Sequence, residues 1–266
     1  MEKLPKLRNN LKLMWYYREL LWNLAYREIN QRYKQSVLGY AWVILNPLFQ
    51  LIVMNFVFSV VLNVPSQGVP FIIFLTVGLL PWNFFVSSLT SASNSLVGNS
   101  NLITKIYFPR EILVYSTIIA KFVDFLFSCI VLVVFFTLFK TNISLTALWV
   151  IPIFSIQIIF TMGLSLILAS FNLFYRDIQY LLSLITMIWM YLTPIMYPVD
   201  IIPERYRFIF SLNPMSVIIN AYRQTILGGG QPNYSSLSIA FFMSLFVLVF
   251  GFYIFKKSEG QFADYV

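Results

Sequence analysis

Six apolar stretches, each long enough to cross a lipid bilayer, leave this chain few folds to choose from. A crossing helix needs about 20 mainly apolar residues to traverse roughly 30 Å of hydrocarbon. Stretches of that length run over 37–62, 71–91, 112–139, 148–171, 178–197 and 236–255. Lipid offers no partner to backbone N–H and C=O groups, so each stretch must satisfy its own as a helix. The expectation is an all-α integral membrane protein with six transmembrane helices, a single membrane domain over 1–266. Composition agrees: 59% of residues are hydrophobic and 11% charged, against roughly 45–50% and about 25% in soluble domains.

Charge sets the expected orientation. An even number of spans puts both termini on one side. Eight lysines and arginines precede Ser36, Lys105 and Arg110 lie in the second connection, Arg176 in the fourth, and Lys256 and Lys257 in the tail. The other face has Lys140, Arg205, Arg207 and Arg223. Positive loops stay inside, so both termini are expected in the cytoplasm, with the chain in the cell (inner, cytoplasmic) membrane. A basic arm in a soluble protein would raise nucleic acid as a partner. Here it abuts a span, and anionic lipid suffices, so no nucleic acid is expected. The first 35 residues lack a continuous apolar core followed by a small-residue cleavage site, so no removable leader is expected.

Two segments depart from the simple span pattern. In the arm over 1–36, Met14, Tyr17, Leu21 and Leu24 recur at helical steps, while Lys12, Glu19, Asn23, Arg27 and Asn30 point elsewhere. This predicts an N-terminal amphipathic interfacial helix; a helix packed on the chain's own loops is the alternative. After Thr193 come Pro194, Pro198, Pro203 and Pro214, separating apolar pieces 201–212 and 215–227 that are too short to cross. They predict a re-entrant helix pair between spans five and six, over about 201–227, with Gly228, Gly229 and Gly230 as the turn into the last span.

Several chemistries are disfavoured. Histidine is absent and Cys129 is the single cysteine, which removes the commonest general base, the commonest metal ligand and any internal disulfide. No metal or cofactor is expected in the chain itself. No glycine opens a phosphate-binding loop ending in Lys-Ser or Lys-Thr, so ATP hydrolysis would belong to a separate motor subunit. Lys121 and Asp124, inside the third span at i and i+3, share a helix face and can neutralise each other.

The run Leu102, Ile103, Thr104, Lys105, Ile106, Tyr107, Phe108, Pro109, Arg110, Glu111 is polar enough to leave the bilayer yet carries exposed-looking apolar residues. Two readings stand open: a short docking helix stopped by Pro109, or an interfacial connector with belt aromatics. Aromatic residues make up 18% of the chain. Tyr40, Trp42 and Phe49 in the first span, and Trp189, Tyr191 and Tyr197 in the fifth, sit beside polar Asn46, Gln50 and Thr193. Such rings can stack on the apolar face of a sugar, or serve as lipid-belt residues.

Four stretches together resemble one family, the membrane (permease) subunits of type-2 ABC polysaccharide exporters, of the O-antigen and teichoic acid kind. They are Arg27-Glu28-Ile29-Asn30-Gln31-Arg32-Tyr33-Lys34-Gln35-Ser36-Val37-Leu38-Gly39-Tyr40-Ala41-Trp42 with Leu45-Asn46-Pro47-Leu48; Leu102 to Glu111; Asn172-Leu173-Phe174-Tyr175-Arg176-Asp177-Ile178; and Thr193-Pro194-Ile195-Met196-Tyr197 leading to Asn213-Pro214. The resemblance implies a homodimer of six-span subunits on two ATP-binding subunits, which bind ATP and Mg²⁺, with a pore lined mainly by the first and fifth spans. By position, Leu102, Ile103, Thr104, Lys105, Ile106 and Tyr107 would contact the ATPase, with Arg176 and Asp177 as a second, smaller contact. Arg27, Arg32 and Lys34 would face the pyrophosphate or headgroups of a lipid-linked glycan. The implied function is ATP-driven export of lipid-linked polysaccharide across the membrane. Alternatives are export of teichoic acid, a drug or a lipid, a passive channel, or a membrane-embedded transferase, which would need a carboxylate cluster that Glu28, Glu111 and Asp177 do not make.

Overall fold

The protein is described here by a computed structural model covering residues 15–34, 36–66, 68–141 and 144–265, without the side chain of Tyr33. Lys12 and Met14 of the expected interfacial helix lie outside the described residues. The elements are α1 (Arg18–Tyr33), α2 (Ala41–Asn55), α3 (Phe71–Ser93), α4 (Ser100–Lys105), α5 (Glu111–Leu138), α6 (Val150–Phe174), α7 (Ile178–Tyr191), α8 (Glu204–Ser211), α9 (Pro214–Ile226), α10 (Tyr234–Ser258) and α11 (Phe262–Tyr265), with no strand among the described residues. Five segments are long and apolar enough to cross a membrane: Ala41–Val61, Phe71–Ser93, Glu111–Leu138, Leu145–Phe174 and Tyr234–Tyr265.

The stretch expected as a fifth span over 178–197 differs. Helix α7 has 14 residues, about 21 Å at 1.5 Å per residue, and so falls short of the roughly 30 Å hydrocarbon layer. Its end follows from Pro194, which lacks an N–H and biases Thr193 away from helical backbone. Both short apolar pieces that follow are helical, with different surroundings. Helix α8 leaves Phe208 and Ile209 exposed, whereas α9 buries Met215, Ile218, Ile219 and Tyr222 against α3, α6 and α10.

Helix α3 is the axis of the bundle. Ile73, Phe74, Leu75, Leu79 and Phe85 are fully or nearly fully buried, and α3 packs on α2, α5, α6, α7 and α9. It carries Pro81 in its interior. Gln157 of α6 donates to the Pro81 carbonyl at 2.7 Å and accepts from the Tyr222 hydroxyl at 2.9 Å, so a neighbouring helix supplies polar partners beside the proline. Helix α1 lies on α5 and buries Leu24, Ala25 and Ile29 while exposing Trp22 and Tyr26. Leu24 of α1, Ile103 of α4 and Phe262 of α11 belong to one apolar cluster, which gathers both ends of the described chain.

The tightest helix pair is α6 with α10. A Cβ on Gly251 would sit 2.3 Å from the Gly163 carbonyl oxygen, and one on Gly163 would sit 2.6 Å from the Leu248 nitrogen. Two bare backbones therefore touch, the device by which membrane helices gain dispersion contact without a hydrophobic drive between them. Gly251→Ala forces the helices apart, and a destabilisation of about 1–3 kcal/mol is expected. Thermal unfolding in detergent should show a melting temperature lowered by several degrees, while Gly260→Ala, where nothing lies within 4 Å, should leave it unchanged.

Candidate functional site

An open groove of about 630 Å³ runs between α2, α3, α5 and α7. Its walls are polar for a membrane protein: Asn46 and Gln50 come from α2, Asn83 and Ser87 from α3, and Ser183 and Thr186 from α7. Asn83 donates to Gln50 at 2.9 Å, joining α3 to α2 across the groove wall. Ser128 of α5 donates to the Val43 carbonyl at 3.2 Å and so holds the start of α2. Trp42 adds an indole to the lining. Amides and hydroxyls that both donate and accept, beside an aromatic face, suit a polyhydroxylated ligand.

One end of the groove is held by charge. Asp124 lines it and accepts from Arg32 of α1 at 2.5 Å; Arg32 also pairs with Glu28 at 3.1 Å. Lys121 lies 3.6 Å from Asp124, which realises the i, i+3 pair read from the sequence. The addition is Arg32: the span's carboxylate is tied to α1 as well as to its own helix neighbour. Arg27 donates to the Asn99 side chain just before α4, and Lys34 is exposed.

At its other end α7 is fixed by two residues of the following segment. Asn213 caps α9, its Oδ1 accepting from the Met215 N–H at 3.1 Å. It also accepts from the Trp189 indole N–H at 2.9 Å and donates to the Thr193 hydroxyl at 2.9 Å. Arg223, 4% exposed, donates to the carbonyls of Pro194, Ile195, Tyr197 and Phe74 and lies 3.6 Å over the Phe74 ring. The orientation count treats Arg223 as a surface charge; the structure corrects this, because the turn after α7 presents a set of carbonyls that only a forked donor can gather. A lone arginine in an apolar piece too short to cross was the available signal.

The connection before α5 divides into two faces. Ile103 and Phe108 are buried, while Ile106 and Tyr107 are 58% and 96% exposed; Thr104 and Lys105 are exposed and Leu102 is half-buried. The buried pair packs with Phe255, Phe262 and Leu173. Phe262 and Tyr265 of α11 also meet Phe174, at ring distances of 6.0 and 5.0 Å. Beyond Phe174, Tyr175, Arg176 and Asp177 are exposed. Ion pairs lock this end: Lys256 lies 2.8 Å from both Glu111, which is buried, and Glu259, and Arg110 donates to the Glu259 carbonyl. In the sequence Lys256 reads only as an orienting charge and Glu259 carries no signal, because nothing in spacing reveals a pairing such as Lys256 with Glu111, 145 residues apart.

The six aromatic candidates occupy different places. Trp42 lines the groove. Tyr40 is exposed and donates to the Asn30 side chain at 3.3 Å, and Phe49 sits on the exposed flank of α2. Trp189 points toward Trp82, Phe85 and Phe160 in an edge-to-face cluster. Tyr191 is exposed, and its carbonyl accepts from the Tyr197 hydroxyl at 2.7 Å.

A bundle of membrane-length helices with a polar groove along one flank is the architecture of a membrane transport subunit. The chain belongs to the ABC-2 type transporter family, whose profile matches residues 19–227. It is similar to an O-antigen export system permease protein RfbA of Klebsiella pneumoniae, 36% identical over 250 residues, which span 94% of this chain and 95% of that protein. The protein of the same name from Myxococcus xanthus is 29% identical over 253 residues, 94% of this chain and 96% of that one. The polysialic acid transport protein KpsM of Escherichia coli is 25% identical over 244 residues, 89% and 92% of the two.

Three substitutions test this geometry. Arg223→Met leaves several buried carbonyls without their donor and should cost about 3 kcal/mol or more in stability; Arg223→Lys should recover little, since an ammonium cannot span them. Both are read as melting temperatures in detergent. Asp124→Ala removes the acceptor joining α1 to α5 and should cost about 1–2 kcal/mol locally, seen as roughly tenfold faster amide exchange in α1.

Proposed function

We propose that this chain is the membrane-spanning subunit of an ATP-driven exporter that carries lipid-linked, O-antigen-like polysaccharide from the cytoplasmic to the outer face of the membrane. The observation that carries this reading is the groove: amides, hydroxyls and an indole set into an otherwise apolar bundle. Relatives named for O-antigen export and polysialic acid transport support it. The groove is open along one side, and the flanks of α2 and α7 beside it expose Phe49, Val53, Leu184 and Ile188. A second copy of the chain would cover these flanks and close two grooves into one pore.

In this reading α7, with the Thr193–Pro194 turn, completes a sixth crossing, and α8 with α9 forms the re-entrant pair on the outer face. Both termini and α4 then face the cytoplasm, with α1 along the interface. Two ATP-binding subunits, holding ATP and Mg²⁺, seat against Thr104, Lys105, Ile106 and Tyr107 of each copy, with Arg176 and Asp177 at the edge. Leu102 and Ile103 support that surface from within. ATP binding and hydrolysis rock the two copies, and the glycan threads through while its lipid passes with the tail in the bilayer. Weak contacts at many positions favour conduction over trapping. Arg27, Arg32 and Lys34 lie where the anionic linker of the substrate would approach.

Coexpression with the ATP-binding subunit should yield a stable complex. Replacing Ile106 and Tyr107 together by serine removes two exposed anchors without touching the buried Ile103 and Phe108. Affinity for the ATP-binding subunit should fall at least about tenfold, the scale of a lost aromatic anchor, with the melting temperature of the membrane subunit unchanged. Unaltered assembly and ATP turnover would overturn the docking assignment.

A further inference from the structure

The charges along the groove bear on which glycans it accepts. Among the residues lining it, Lys121 and Asp124 are the two that carry charge, and they are opposite in sign and 3.6 Å apart. The ion pairs from Asp124 to Arg32 and from Arg32 to Glu28 bring the cluster to two cations and two anions. Beneath α1 a second polar pocket of about 430 Å³ includes Arg27, Glu28, Ser95 and Thr117, and shares Thr90 with the groove. Its lining, too, has one charge of each sign. The linings of the groove and of this second pocket are therefore each electroneutral.

We propose, resting on the exporter reading above, that the substrate class is a glycan with uncharged repeats, and that chains bearing a carboxylate or phosphate in every repeat are disfavoured. A sugar hydroxyl both donates and accepts, as do the side-chain amides of Asn46, Gln50 and Asn83. Asp124 is already held by Arg32 and Lys121, and its carboxylate repels an anionic substituent passing along the groove. An anion entering a low-dielectric groove needs a cation or retained water, and pores that pass anions supply rings of Lys or Arg. Here the one lysine in the lining is already paired. The penalty recurs with each repeat, so it acts on the polymer far more than on a single anionic linker.

The test uses the full chain assembled with its ATP-binding subunit in cells lacking another exporter. Two lipid-diphosphate-linked glycans of equal length are supplied, one of neutral hexoses and one with a uronic acid in every repeat, and surface appearance is measured. The neutral chain should be exported at least about tenfold faster, reflecting the cost of unpaired charge in the groove. Ser183→Lys adds a cation at an exposed groove position whose hydroxyl bonds only within its own helix; it should narrow the difference severalfold. Equal export of both glycans by the unaltered protein, or faster export of the charged one, would overturn the inference while leaving the exporter reading intact. Export of neither would overturn the exporter reading and the inference with it.

Discussion

Polar groups inside a lipid-bounded bundle must find partners within the protein, and the architecture depends on how this chain meets that demand. Arg223 is the clearest case. Its guanidinium sits among the carbonyls that the Pro194 turn leaves pointing inward, so the break in α7 and the buried arginine of α9 explain each other. Asn213 repeats the logic one step away, bonding Trp189 and Thr193 while capping its own helix. Gln157 does so deeper in the core, joining Pro81 to Tyr222. Removing any one partner strands the others, which is why such networks specify one arrangement rather than merely adding stability.

The same demand shapes the working surfaces. With one end of α7 pinned to α9, its Ser183 and Thr186 side is free to form groove wall. At the other end of the bundle, the connection before α5 is divided by burial: Ile103 and Phe108 go under, and Ile106 and Tyr107 stay out. The connection leads directly into α5, which carries Lys121 and Asp124 to the groove. Tyr107 is thus connected, through a short helix packed on α11 and an ion pair at Glu111, to the element that lines the groove and holds α1. This continuity is the physical basis for coupling a soluble motor to a membrane groove in the proposed function.

Much of this was legible in the chain itself. The five helical segments long and apolar enough to cross a membrane overlap five of the six apolar stretches, because lipid makes hydropathy and secondary structure nearly the same question. The prolines after Thr193 marked a region where helix fails, although α7 already ends at Tyr191. What they did not give was the length lost from α7, since an apolar run over 178–197 reads the same whether or not its last turns are helical. The split between Ile103 and Tyr107 was likewise hidden: both are apolar, and only packing against Phe262, 159 and 155 positions away in the chain, separates them. Arg32 was legible as basic but not as Asp124's partner, since spacing carries no information about contacts between distant segments. Trp189 and Trp42 looked alike in sequence, yet one joins an aromatic cluster and the other faces the groove.

The central claim is that the glycan passes along the groove between α2 and α7. A photoreactive residue placed at Ser87, in the groove wall, and another at Phe246, exposed on α10, can each be activated during ATP-driven export of radiolabelled glycan by the assembled complex. Crosslinking of glycan at position 87, dependent on ATP and absent at position 246, is the predicted result. Export that proceeds with no crosslink at 87, or with equal crosslinking at 246, would contradict the account.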